Sequence, residues 1–318
     1  MGTTWHATIV ETAVFTNGNA IPTTVAFEAI VETLARVDTR MSTYKASSEI
    51  SRFAQAAANT LFPVSQETCT VVTEALRIAA LSKGAYDPTI MPLVNLWGFG
   101  PAKRELTAPD SAALQEALNL VDFTAIQSLA DETPASLMRT RDDVSLDLSS
   151  VAKGYGVDVA ALALLASGFH DFYLEVGGEV RTHGNSPRGT AWRTGIDTPE
   201  SAATPGAQLS GVVHSHNHAI ATSGDYRNYR ELNGRRVSHT LDARTGHPIA
   251  HTLASVTVLH PSCMTADALA TAAMVLGPVA GLQLIEDEPQ AEAFFVVRDS
   301  NRFITTQTSG FASKAKAD

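Results

Sequence analysis

The segment Asp147-Leu148-Ser149-Ser150-Val151-Ala152-Lys153-Gly154-Tyr155-Gly156-Val157-Asp158 decides how the chain is read. Ser145 to Leu148 is strand-like, the small residues after it make a turn, and a helix then runs to about Ala166. Phe172 to Val176 follows as a strand that stops at Gly177-Gly178. A strand that feeds a small-residue turn and a helix exposes backbone N–H groups suited to a phosphate, and Lys153 adds a positive charge there. The spacing of a Walker loop is absent, and a plain strand-to-helix connection accounts for the same residues.

Outward from this segment, strands and helices alternate without a regular order. Met1 to Phe15 reads as strand, and Thr23 to Ser42 places Val25, Phe27, Ile30, Val31, Leu34 and Val37 at helical spacing. Ser47 to Phe53 is a short helix with a serine cap, Ser65 to Ser82 a second amphipathic helix, and Ser111 to Leu120 another. Between them, Gly84 to Gly100 is dense in glycine, proline and aromatics, and Pro88 and Pro92 bar a central strand. Later, Val212 to Ser223 and Ser255 to Leu259 read as strands and Thr265 to Leu276 as an apolar helix. Ala293 to Arg298 with Phe303 to Thr308 reads as a closing hairpin. The irregular mixture predicts an α+β fold: a single domain over 1–318, built from two interleaved α/β lobes with mixed sheets. The lobes span about 1–145 and 146–312, and a frayed tail covers 313–318.

Composition narrows the class. At 318 residues, 44% hydrophobic and 18% charged, the chain is long enough for a sizeable core and ordinary for a globular protein. Its formal net charge of −10 opposes binding to nucleic acid and to anionic membrane surfaces. Cys69 and Cys263 form neither a metal spacing nor a disulfide framework; two unpaired core thiols or one bridge are both open. No run of about 18 apolar residues and no signal peptide is present, although a leader can precede Met1.

Asp267 is the sole charge in Met264-Thr265-Ala266-Asp267-Ala268-Leu269-Ala270-Thr271-Ala272-Ala273-Met274. Thr271 lies four residues on, so both oxygens project from one helix face, a donor pair that suits a hard cation such as Mg²⁺. A carboxylate that caps its own helix start is the competing reading. His239, within Ser238-His239-Thr240-Leu241-Asp242-Ala243-Arg244-Thr245-Gly246, is a candidate general base or phosphate contact, and the same residues also suit a simple turn. His214, His216 and His218 alternate but lack a carboxylate partner, so a solvated strand face is expected rather than a metal site. Tyr44, Tyr86, Trp97 and Phe99 lie near glycines and prolines and can wall a flat heteroaromatic ring or simply fill core.

Taken together and in order, these stretches resemble the FAD:protein FMN transferases, the ApbE-like family, along nearly the whole chain. The matching segments are Met1-Gly2-Thr3, Met41 to Tyr44 with Ser48 to Phe53, Gly84 to Pro88 with Pro92 to Gly100, and Asp147 to Asp158. They continue through Val176 to Glu179, Thr222 to Tyr229, Ser238 to Gly246 and Ala266 to Thr271. The resemblance implies FAD as substrate in a cleft between the lobes, beside Mg²⁺ held by the Ser150 carbonyl, Asp267 and Thr271. Some family members carry a second carboxylate where this chain has Ala270. FAD contacts carry over to Met1, Tyr44, Tyr86, Asp87, Pro88, Asp147, Lys153 and Leu241. His239 falls where the family has a candidate proton acceptor, so His239 and Asp267 are the implied catalytic pair. The implied reaction transfers FMN to a Ser or Thr hydroxyl of an acceptor flavoprotein subunit and releases AMP. The rival readings are a metal-dependent FAD pyrophosphatase and a non-catalytic FAD-binding protein. The resemblance further implies a periplasmic protein, or one attached to the inner membrane facing the periplasm, with a lipid anchor on a leader outside the present chain.

Overall fold

A computed structural model describes residues 2–10, 15–16, 19–100, 108–199, 206–226, 229–232, 235–300 and 302–315. Met1 lies outside the described residues. A seven-stranded sheet organises the chain. Its strands are β1 (Trp5–Ile9), β2 (Phe172–Val176), β3 (Glu179–His183), β6 (Ala219–Gly224), β7 (Leu253–His260), β8 (Glu292–Asp299) and β9 (Arg302–Gln307), side by side in that order. Between β3 and β6 the chain forms a separate hairpin of β4 (Trp192–Asp197) and β5 (Leu209–Ser215). The α+β expectation is borne out. Every pairing in the large sheet is antiparallel, whereas the sequence reading expected sheets of mixed direction.

The helices explain the strand directions. The main ones are α1 (Thr23–Met41), α2 (Gln66–Leu81), α3 (Ala152–Ala166) and α4 (Cys263–Glu286). The last connects neighbouring strands β7 and β8, and one straight helix there would leave them parallel. Instead Gly277 takes φ 81° and ψ −176° and breaks it in two, with Pro278 starting the second piece. Gly281 packs directly on the backbone of Ala273, so the second piece folds back on the first. The chain crosses the sheet twice and re-enters antiparallel. Although α4 is long and apolar enough to cross a membrane, 61% of its most apolar window is buried inside the protein. It is the central core helix, sandwiched between the sheet and α2 and α3.

β7 is buried on both faces: α4 covers one, and the other lies under the β4–β5 hairpin and the helix Phe311–Lys314. β2 alternates buried and half-buried side chains, as a strand with one covered face should. β1 pairs with β2 from Trp5↔Val176 to Ile9↔Phe172, so the first strand of the chain completes a sheet made by its second half. Cys69 and Cys263 are both buried and unbridged.

Three local expectations need correction. Ser145 to Leu148 runs extended without strand pairing, because the Asp147 amide is taken by the Pro88 carbonyl at 2.6 Å. Val212 to Ser223 is two strands, broken where the Ser215 hydroxyl accepts the His218 amide. The tail is packed through Ala315: Phe311 is buried, and the His214 amide donates to the Ala315 carbonyl.

Candidate functional site

Two helix starts meet at the site. The first N–H groups of a helix have no partner within it. Those of α4 are served by Ser262, whose hydroxyl accepts the Thr265 amide, and by Asp158 of α3, which accepts the Cys263 and Met264 amides at 2.9 and 3.0 Å. Asp158 thereby locks α3 to α4 in one register. Because Ser262 and Asp158 do the capping, Asp267 is not needed at its own helix start, and the capping alternative falls. Its carboxylate points instead to α3, where Oδ2 accepts the Gly154 amide at 3.0 Å.

Gly154 permits this approach, since a Cβ there would collide with the Cys263 carbonyl. Replacing Gly154 with alanine is expected to cost about 3 kcal/mol by overpacking and to pry α3 from α4. A thermal melt checks it; an unchanged midpoint would show that the helices do not meet this closely.

The turn Gly177-Gly178 delivers the next group. Val176 faces Glu179 across a two-residue hairpin, and both glycines have positive φ (66° and 105°), as a primed turn requires. Glu179 follows at once and points inward. Its Oε1 accepts Lys153 Nζ at 2.7 Å, and the same ammonium lies 3.2 and 3.3 Å from the two Asp267 oxygens. Glu179 and Asp267 side chains are 5% and 4% exposed, Lys153 30%. Burial works to lower the Lys153 pKa, but the carboxylates of Asp267 and Glu179 outweigh it and hold the ammonium charged. Burial, then the charge of Asp267, pushes the Glu179 carboxyl up to about 8 against the pull of Lys153. Among the described residues, Glu179 Oε2 is buried with no hydrogen-bond partner.

Around this cluster the other predicted residues take distinct places. The Ser150 hydroxyl donates to the Tyr86 hydroxyl at 3.2 Å, and the Thr271 and Ser223 hydroxyls lie 3.4 Å apart. Tyr86 is enclosed in the core, so its ring does not form an open wall; burial raises its phenol pKa. Tyr44 is 76% exposed, the most open large apolar side chain but one among the described residues. Asp87 is tied into its own loop, accepting the Thr89 amide (2.7 Å), the Thr89 hydroxyl (2.6 Å) and the Phe123 amide (3.1 Å). Asp147 accepts the Ser149 amide at 3.0 Å, and burial raises the pKa of both aspartates. Pro88 contributes its carbonyl to the Asp147 amide.

A second wall is made by two loops. Trp97 Nε1 donates to the Gly246 carbonyl at 2.8 Å, Leu241 packs with Leu93 and Trp97, and the Phe99 ring meets His239 edge-on at 6.5 Å. This joins the glycine- and aromatic-rich loop 84–100 to the segment 238–246. His216 and His218 lie beyond the end of β5 rather than on one strand face with His214, and no cluster of three His, Cys, Asp or Glu able to hold a metal exists among the described residues. Glu179 and Ser223 are members of the site to which sequence reading assigned no role; their one signal was their place in the Val176 to Glu179 and Thr222 to Tyr229 segments.

Comparison with known proteins places the chain. The ApbE family model matches residues 1–295. The FAD:protein FMN transferase of Haemophilus influenzae is 38% identical over 313 residues, 98% of this chain and 88% of that protein. The enzyme of the same name from Vibrio cholerae is 39% identical over 312 residues, covering 98% and 89%. Among solved structures, a histidine-to-glycine variant of flavin transferase ApbE from Vibrio cholerae superposes with TM-score 0.86 at 38% identity, covering 99% of this chain and 96% of that one. The Pseudomonas stutzeri flavinyl transferase ApbE, apo form, gives 0.84 at 34% identity, covering 99% and 98%. By the family model over most of its length and by these relatives, this chain belongs to the ApbE family.

Proposed function

We infer that this chain is a FAD:protein FMN transferase, which moves FMN from FAD to a Ser or Thr hydroxyl of an acceptor protein. The observation that carries the reading is the convergence of Asp267, Lys153 and the start of α3 beside the wall of loops 84–100 and 238–246. In the reaction the acceptor oxygen bonds to the FMN-side phosphorus. The bond from that phosphorus to the bridging oxygen breaks, and AMP leaves with the electron pair. Asp267, Thr271 and the Ser150 carbonyl are all hard oxygen donors, a set that fits Mg²⁺ and not a soft metal. Bound there, Mg²⁺ would offset negative charge on the pyrophosphate. His239 receives the acceptor proton, and the ordered loops about it position FAD. The exposed Tyr44 is free to close on a ring. The reading also places the protein on the periplasmic side, where an acceptor subunit of a redox complex would meet it.

Incubation with FAD, Mg²⁺ and an acceptor protein, read by mass, is expected to add one FMN per acceptor and to fail with EDTA. AMP release at the same rate without acceptor would favour the pyrophosphatase. FMN transfer undiminished by EDTA would remove the metal from the reading.

A further inference from the structure

We propose that Lys153 is a movable counter-ion, parked by Glu179 beside Asp267 so that a divalent cation can take its place there. The inference rests on the assignment of that cation to Asp267.

The cluster holds two carboxylates and one ammonium, all drawn from different parts of the fold: α3, the start of β3 and α4. A purely structural ion cluster in a core satisfies its oxygens, because a buried unpaired acceptor is costly. Here, among the described residues, Glu179 Oε2 has no partner, and two buried acidic side chains share a single ammonium. Lys153 is also the most exposed of the three, at 30%, with a flexible stem and three N–H donors. It makes its shortest contact, 2.7 Å, with Glu179 and its longer ones, 3.2 and 3.3 Å, with Asp267. Asp267 keeps the Gly154 amide when Lys153 moves, so its orientation does not depend on the lysine.

These features assign each member a separate task. Gly154 aims Asp267. Lys153 neutralises it until a metal arrives, then turns wholly to Glu179. Glu179 touches neither metal nor substrate; it is a positioning residue that acts through Lys153. Without Glu179, Lys153 has only Asp267 to pair with and competes harder for it.

Mn²⁺ binding, followed by electron paramagnetic resonance of the free ion with no FAD present, tests this without an activity assay. Lys153→Met is expected to tighten Mn²⁺ binding and Glu179→Gln to weaken it about tenfold, with the Glu179→Gln effect falling below about threefold when Met is at 153. Equal Glu179→Gln effects in the two backgrounds would overturn the proposal, as they would follow from simple distance-dependent charge. So would weaker binding in Lys153→Met. Asp267→Asn separates the two layers: undiminished Mn²⁺ binding there refutes the metal assignment itself, whereas lost binding with an additive Lys153/Glu179 cycle refutes only the handover. A crystal structure of the unmutated protein with Mn²⁺ needs no Lys153 variant to fold. It should show Lys153 Nζ on Glu179 and beyond hydrogen-bonding distance of Asp267; an intact Lys153–Asp267 contact beside the metal would refute the proposal.

Discussion

Asp267→Asn is expected to reduce flavin transfer at least about a thousandfold while the protein remains folded. The side chain is 4% exposed and lies on the core helix, so a change of shape there would be felt throughout the packing. Asparagine keeps the shape and keeps an oxygen for the Gly154 amide, which alanine would leave unpaired at a cost of about 1–3 kcal/mol. What asparagine removes is the charge. Lys153 retains Glu179 as a partner, so no lone ammonium is left behind. The expected cost is therefore small in stability and large in chemistry, since Asp267 is the sole carboxylate among the three proposed metal donors. The paired measurements are a thermal melt and the rate of FMN addition to an acceptor, by mass. Transfer at the unmutated rate would remove Asp267 from the reaction. Loss of folding would return it to a structural role.

That Asp267 could be singled out from the sequence has a physical cause. A lone charge in an apolar run of helical spacing is conspicuous because burying it is expensive, and Thr271 four residues on completes a face. What the local sequence could not decide was what the charge is for. Capping was excluded by Ser262 together with Asp158, which lies on another helix more than a hundred residues earlier yet takes two of the α4 amides. The same distance hid Glu179. Its neighbours Gly177 and Gly178 announce a tight turn, but nothing nearby says that the next side chain faces Lys153. Tyr86 shows the converse: an aromatic among glycines and prolines suited either a ring-binding wall or the core, and tertiary packing enclosed it, leaving its hydroxyl to meet Ser150.

Strand direction was hidden for a similar reason. Periodicity identifies β7, α4 and β8 as elements, but whether the strands run parallel depends on how often the chain crosses the sheet between them. That turns on Gly277, whose positive φ splits an otherwise continuous apolar helix. A glycine followed by proline marks a break, but the fold-back is visible only where Gly281 rests on Ala273. Elements with local causes were read well. The Ser48 hydroxyl caps its short helix by accepting the Ser51 amide, and Ser65 does the same for α2 with Thr68.

His239→Ala separates chemistry from binding. The residue sits between two anchored neighbours: Ser238 is buried and its hydroxyl accepts the Thr240 amide at 3.1 Å, while Leu241 is buried against Leu93 and Trp97. The backbone at 239 is thus anchored on both sides, and the imidazole is half-buried with an edge contact to Phe99. Truncating the ring should leave the 238–246 wall in place, since Ser238 and Leu241 anchor it on either side, and FAD affinity is expected to stay within about threefold. The acceptor hydroxyl, by contrast, loses the group that takes its proton. Positioned general bases contribute about a hundred- to ten-thousandfold, so turnover should fall by that order with FAD still bound. Fluorescence titration of FAD and the single-turnover rate of transfer check the two halves separately. FAD affinity lost in step with turnover would make His239 a ligand contact; transfer at the unmutated rate would leave the proton to another acceptor, with water the nearest alternative in an open site. A fall in turnover alone has one further consequence: the uncatalysed attack on the bound phosphorus still proceeds slowly at a metal site left intact. Asp267→Asn combined with His239→Ala should therefore lose more activity than His239→Ala alone, which two residues serving one shared step through a single contact would not do.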